Sequence, residues 1–232
     1  MKIATWNLEW ARPGSTRERI IRESLLATDA DVICLTEAYP ETVSGQGHVI
    51  EAALGNFVAD RKAAKKVLLW ARNGWRDVST EGQFTPLGRI VSGSTNTAYG
   101  PMRIVGVCIP WHGSNTPRFG GDRQLWDDHM DFLKSLAVRL GRVSESTVLI
   151  GDYNQRLPRG RQPERVCEAL EHALTGFYVA TRNFVGGDGD LAIDHIAHTP
   201  DLRMRNLAEL PKHQGGLRLS DHFGVMGEIS PA

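Results

Sequence analysis

Several polar residues in this chain stand where apolar runs end. Val148-Leu149-Ile150-Gly151 leads into Asp152-Tyr153-Asn154. The run reads as a buried strand, Gly151 permits a sharp turn, and a spacing of two puts Asp152 and Asn154 on one face of extended chain. Lys2 to Trp6 ends in Asn7, Asp31 to Thr36 ends in Glu37, and Val105 to Ile109 leads to Pro110-Trp111-His112. Asp221 and His222 instead precede the last apolar run, and Asp194 lies within one. Each alone also reads as a turn or cap residue. Jointly they strain that reading, because a charge at the rim of a core is costly unless paired, hydrated or bound to metal.

The chemistry open to such a set is narrow. Carboxylates and carboxamides are hard oxygen donors that suit Mg²⁺, with Mn²⁺ as a substitute. Cys34, Cys108 and Cys167 are widely spaced and no His-rich run exists, so there is no zinc pattern. Asp194 inside a strand needs a partner, and a histidine is the natural one. An Asp–His pair orients an imidazole and stabilises its charged form for acid–base work. Metal, carboxylates and histidine together suit hydrolysis at phosphorus.

The elements that would carry these groups alternate between strand and helix. Ser15 with Glu18 fits a capping box for a helix over 16–27, with Ile20, Ile21, Leu25 and Leu26 on its core side. A short helix is expected over 47–54. From Phe57 to Ile109, strand-like runs at 67–71, 75–79, 89–92 and 102–109 between Gly, Asn and Pro turns read as hairpins. A helix over 122–140 would bury Leu125, His129, Phe132, Leu133, Leu136 and Leu140, with His129 a packed core histidine. Pro163 is placed at the first position of a helix that Gly176 closes. Strands follow over 178–184, over 191–197 with Asp194 in the middle, and over 223–229. If the last strand runs antiparallel to the others, Asp221 and His222 join the same rim as the rest, the edge where α/β folds place their sites.

Composition sets the frame. The 232 residues suffice for one domain over 1–232, and no linker or repeat divides them. Lys+Arg and Asp+Glu both number 27, so any attraction for a polyanion must be local. The odd, scattered cysteines give no disulfide framework, and the start of the chain shows no apolar signal region. No run approaches the ~20 apolar residues of a membrane span. The expected setting is the reducing cytoplasm. No obligate protein partner is evident, and a monomer suffices.

Thr5-Trp6-Asn7-Leu8, Leu35-Thr36-Glu37, Gly151-Asp152-Tyr153-Asn154, Ile193-Asp194-His195-Ile196 and Ser220-Asp221-His222 stand in the order found in the endonuclease/exonuclease/phosphatase superfamily. The chain resembles that family from residue 3 to about residue 229. The resemblance implies a four-layer α/β sandwich, with two mixed β-sheets packed face to face and helices outside. It implies Glu37 as principal Mg²⁺ ligand, Asn7 at the metal or phosphate, and Asp221 as a further metal-side carboxylate. Asp152 would orient or deprotonate the attacking water, Asn154 would bond a phosphate oxygen, and His222, held by Asp194, would act as general base or phosphate donor. His112 falls where the family often carries a His or Tyr near the phosphate. The chain departs from the family at Thr36 (commonly Gln), at His195 (commonly Tyr), and at Trp111-His112-Gly113, which replaces a Thr-His-Leu type of sequence.

Substrate is read from fewer signals. Arg156, Arg159 and Arg161 follow the Asp152 loop and suit flanking phosphates, or else form a solvated loop. Trp111, with Trp10 and Phe119, suits base stacking, or else local packing. The resulting expectation is a Mg²⁺-dependent phosphodiesterase acting on nucleic acid. The alternatives are a phosphomonoesterase or a phospholipid or inositol phosphate hydrolase of the same fold, and, in another class, a non-catalytic binding protein.

Overall fold

The central strands of this chain are apolar at consecutive positions because each feeds two cores at once. The computed structural model describes residues 1–43, 45, 47–53, 63–80 and 87–232. In chain order it contains β1 (Lys2–Asn7), α1 (Thr16–Ala27), β2 (Val32–Ala38), β3 (His48–Glu51), β4 (Lys65–Ala71), β5 (Trp75–Ser79), β6 (Ile90–Thr97) and β7 (Gly100–Cys108). There follow α2 (Asp127–Leu140), β8 (Thr147–Asp152), α3 (Glu164–Ala173), β9 (Tyr178–Val179), β10 (Asp194–His198), β11 (Leu202–Leu210), β12 (His213–Gln214), β13 (Leu217–Arg218) and β14 (Gly224–Pro231).

Two six-stranded sheets result, ordered β11-β14-β1-β2-β4-β3 and β5-β6-β7-β8-β10-β9. Within them β1–β2 and β7–β8 pair in parallel, and the other pairs are antiparallel, so both sheets are mixed. Ile3, Val32, Cys34, Val67, Leu69, Ile104, Val148, Ile150 and Ile196 fill the space between the sheets. The residues between them in sequence point outward. Ala4, Trp6, Ile33, Leu35 and Leu68 pack under Ile21 and Leu25 of α1. Val105, Val107, Leu149 and Ala197 pack under Phe132, Leu136 and Leu170 of α2 and α3. This is the four-layer α/β sandwich expected from the sequence. Period-two alternation explains it, since both faces of each central strand are covered.

The same parity places the polar strand ends. Asn7 continues the Ile3 series, Asp152 the Val148–Ile150 series, and Asp194 the Ile196 series. All three therefore face into the gap between the sheets at one rim.

Several expectations shift in detail. The helix expected over 47–54 is instead strand β3, paired antiparallel with β4 at Ile50↔Leu69, and Leu54 lies outside the described residues. β-Branched Val49 and Ile50 suit that edge position better than a short uncapped helix. Phe57, the expected start of the hairpins, also lies outside them. Helix α2 starts at Asp127 because Trp126 adopts a left-handed φ of 75°, which leaves Leu125 57% exposed. Leu26 is likewise exposed. Pro163 is the N-cap of α3, one position earlier than expected. Strand β9 ends at Val179, and Asp194 opens β10 rather than sitting at its centre.

Candidate active site

Strand pairing brings the rim together. β14 runs antiparallel to β1, with Thr5 opposite Val225, so the residues before β14 lie beside the end of β1. In the other sheet Asp194 stands directly opposite Asp152. Gly151, at φ 138°, lets this strand end pass close to β7, since a Cβ there would lie 2.0 Å from the Val107 carbonyl oxygen.

Asp152 is fully enclosed and accepts three hydrogen bonds. Asn7 Nδ2 donates to its Oδ2 at 2.9 Å, Asn154 Nδ2 to the same oxygen at 2.9 Å, and the Asn154 amide N–H to Oδ1 at 2.8 Å. Asn154 Nδ2 also donates to the Ile109 carbonyl at 2.8 Å, so both its N–H groups are engaged. Burial pushes the Asp152 carboxyl up to about 7, against the opposing pull of His222 and the Asn154 N–H. A carboxyl poised there exchanges protons near neutral pH.

His222 Nδ1 donates to Asp194 Oδ2 at 2.9 Å. Burial works against the imidazolium, but the charge of Asp152, the hydrogen bond and charge of Asp194, and the charge of Asp221 outweigh it and hold His222 at about 10. Burial also pushes the Asp194 carboxyl up, while His222 opposes it. One ligand atom from each of Asp152, Asp194 and His222 lies within 4.8 Å of the others. Asp194 Oδ1 has no hydrogen-bond partner among the described residues.

Glu37 has φ 49°, which breaks the alternation of β2 at its end. Its charge adds, after burial, to the upward push on Asp152 and Asp194, so it acts on the same site. Glu37 Oε1 accepts from Lys66 Nζ at 2.6 Å. Asp221 is exposed at the rim. Arg156 borders a cavity of about 20 Å³ with Asp221 and His222, whereas Arg159 and Arg161 are exposed further along the loop. His112 is exposed on the loop after β7, its ring 5.5 Å from Trp126, with no hydrogen bond to the Asp152 group. Trp111 packs edge-on against Phe119 with ring centroids 4.8 Å apart, in a cleft of about 550 Å³ that Arg118 also lines.

The geometry adds residues that sequence reasoning missed. Ser220 Oγ donates to the Asn7 carbonyl at 2.6 Å and accepts from the His222 N–H at 3.2 Å. Trp6 Nε1 donates to the His222 carbonyl at 2.9 Å. Arg17 reaches the carbonyls of Leu219 at 2.6 Å and Leu8 at 2.5 Å. These bonds lock the Asp221–His222 turn onto the end of β1. Ser220 was visible as part of a motif. Arg17 sits on an Arg-rich helix and Lys66 in a lysine doublet, and neither position carries a sequence signal of its partner.

A hard divalent cation fits this donor set. Glu37, Asn7 and Asp221 carry oxygen donors, of which Asn7 Oδ1 accepts from the Glu9 N–H at 2.9 Å and Glu37 Oε1 from Lys66; Asp152 and Asp194 lie with His222 in one cluster, and no thiolate is part of it. His129 takes no part. It is buried, with Nδ1 2.5 Å from the Pro110 carbonyl, and burial lowers it to about 4.

A four-layer sandwich with such a rim of carboxylates, carboxamides and an Asp–His pair defines the DNase I-like class of proteins. The sequence profile of the Endonuclease/Exonuclease/phosphatase family matches residues 4–222, and the chain belongs to that family. No curated protein matches it in sequence. Among solved structures it is similar to an AP endonuclease from Archaeoglobus fulgidus, with a TM-score of 0.73 and 19% identity over 98% of both chains. A humanized D. rerio TDP2 gives a TM-score of 0.72 at 14% identity, covering 99% of this chain and 98% of that one. The 3' phosphatase NExo from Neisseria, bound to a product DNA hairpin, gives 0.68 at 17% identity over 99% of both. At these identities the likeness is one of fold. No helix among the described residues is long and apolar enough to cross a membrane.

Proposed function

We propose that this chain is a divalent-metal-dependent phosphodiesterase acting on nucleic acid, with Mg²⁺ as the expected ion and Mn²⁺ as a substitute. The observation that carries the reading is the buried Asp152, fixed by Asn7 from one sheet and Asn154 from its own, beside a His222 held by Asp194. Glu37 and Asn7 would hold the ion, with Asp221 as a further carboxylate. A bound divalent ion neutralises phosphate charge and polarises the phosphorus for attack.

The chain's own groups divide the remaining work. Asp152 orients the attacking water and takes its proton at Oδ1 or Oδ2. The Asp194–His222 pair presents a positive imidazolium that stabilises the phosphoryl oxygens as charge builds on them. Asn154 first positions Asp152, and bonding a phosphate oxygen would require it to release one of its two present acceptors. Arg156 lies close enough to meet the scissile phosphate or its neighbour, and Arg159 and Arg161 would meet phosphates beyond it. The Trp111–Phe119 cleft offers an aromatic surface for a base. Nucleic acid is favoured by the named activities of the similar structures together with these arginines and rings. A cytoplasmic setting accords with the free thiols of Cys34 and Cys108 in the core.

A phosphomonoesterase is the second reading, because one similar structure is named as a 3' phosphatase. Purified protein should be assayed with Mg²⁺, Mn²⁺ or EDTA on single- and double-stranded DNA, RNA, abasic DNA, 3'-phosphorylated DNA, inositol phosphates and sphingomyelin. Metal-dependent cleavage of nucleic-acid phosphodiester bonds is expected. Release of inorganic phosphate alone would move the assignment to the monoesterase, and hydrolysis confined to lipid or inositol substrates would overturn the nucleic-acid reading.

A further inference from the structure

Lys66 stands opposite Glu37 across the β2–β4 ladder, between the register pairs Thr36↔Val67 and Ala38↔Lys65. Its ammonium donates to Glu37 Oε1 at 2.6 Å, and the two side chains are only 12% and 20% exposed. The ring of Trp10 lies 4.6 Å from the same ammonium, and the backbone N–H of Trp10 donates to the Glu37 carbonyl at 2.8 Å. Glu37 and its cation are thus fixed from three sides, by β2, β4 and the loop after β1. The Lys66 ammonium places a positive charge from the chain itself on Glu37.

We propose that Lys66 is the resident cation of this site, holding Glu37 until a divalent ion displaces it. The inference rests on the reading of Glu37 as a metal ligand. A divalent ion that takes Oε1, alone or together with Oε2, must displace the Lys66 ammonium, whereas an ion on Oε2 alone would leave the pair intact. The apparent metal affinity is lowered by the fraction of Glu37 already paired. A partly buried ion pair of ordinary strength would weaken it about fivefold. After displacement the face of Trp10 still holds the ammonium by a cation–π contact, beside the incoming phosphate. Lys66 would then be a positioning residue in the metal-free state and a phosphate contact in the loaded one.

The test is calorimetric titration of Mn²⁺ into metal-free wild type, Lys66→Met, Lys66→Arg and Glu37→Gln. Lys66→Met should bind Mn²⁺ about fivefold tighter, Lys66→Arg should stay near wild type, and Glu37→Gln should bind much more weakly. Equal or weaker binding by Lys66→Met overturns the proposal while leaving Glu37 as a ligand if Glu37→Gln is impaired. No Mn²⁺ binding by wild type would remove both the proposal and the metal reading beneath it. A second measurement needs no variant. Reductive methylation of wild type, read by mass spectrometry, should modify Lys66 faster as Mn²⁺ is added, because the amine is released from Glu37. A methylation rate at Lys66 independent of Mn²⁺ would overturn the proposal even if the variants misfold.

Discussion

His222 and Asp194 belong to different sheets and are joined by a 2.9 Å hydrogen bond from Nδ1 to Oδ2. Asp194 opens β10 in one sheet, and His222 precedes β14 in the other. The bond orients the imidazole and closes the rim between the layers. Loss of either residue should lower turnover by about 10²–10³, the usual worth of one donor aimed at the charge that builds in the transition state. Loss of both should cost little more, because residues acting as a unit are non-additive. Single and double variants assayed side by side decide this, and fully additive losses would show that the two act separately. Asp194→Asn removes the carboxylate bonded to a largely buried imidazolium and leaves it to the charges of Asp152 and Asp221, a change worth up to roughly 3–5 kcal/mol of stability, so melting temperatures must accompany the rates.

Gly151 is a second control point. Its φ of 138° and the 2.0 Å approach of the Val107 carbonyl oxygen to a built Cβ leave no room for a side chain. Gly151→Ala should destabilise the fold by about 2 kcal/mol or more through strain in β8 against β7. It should also lower turnover through displacement of Asp152. Urea denaturation measures the first and single-turnover assays the second. An unchanged unfolding midpoint would mean that β7 and β8 can separate at no cost, against the tight pairing at Val107↔Gly151.

Protonation supplies a third expectation. His129 is a buried neutral imidazole whose folded value, about 4, lies below its ordinary 6.5 because burial disfavours the cation. The unfolded chain therefore takes up the proton first, and the stability His129 contributes is present above pH 6.5 and is lost as pH falls towards 4. Asp152, raised by burial to about 7, acts with the opposite sign between 3.8 and 7, so the slope of the wild type alone is ambiguous. The readout is the difference between wild type and His129→Gln. That gap in unfolding free energy should shrink by about 2 kcal/mol between pH 7 and pH 5. A gap independent of pH would mean that His129 titrates normally in the fold.

Much of this was legible in the sequence, because a covered strand writes its two cores as a continuous apolar run and its end as a polar residue. Asn7 and Asp152 were visible in that way and Asp194 as a charge inside an apolar run, and their shared parity leads directly to the gap between the sheets. What stayed hidden depended on partners far away in sequence. Lys66 looks like the solvated start of a strand until β4 is laid beside β2. Arg17 looks like one more helix surface charge until its guanidinium is found on the carbonyls of Leu8 and Leu219. The short helix expected over 47–54 failed for the same reason, since only pairing with β4 makes 48–51 a strand. His112 was placed by motif order, and the structure sets its ring 5.5 Å from Trp126, exposed on the loop after β7.

The arginines after Asp152 give the prediction that most directly probes the substrate. The sequence groups Arg156, Arg159 and Arg161 together, but the structure separates them. Arg156 is half-buried beside His222 and Asp221, whereas Arg159 and Arg161 are exposed. Arg156→Ala should therefore raise KM on a small diester such as bis-p-nitrophenyl phosphate and on an oligonucleotide alike. The double variant Arg159→Ala, Arg161→Ala should leave the small diester unaffected, raise KM on the oligonucleotide and flatten its salt dependence, since each lost phosphate contact removes about one released counterion from the slope. Both proteins should be assayed at low and moderate salt. Equal loss on both substrates in the double variant would mean that these two arginines support the loop itself. No loss on either would place the path of a longer substrate elsewhere, towards the Trp111–Phe119 cleft.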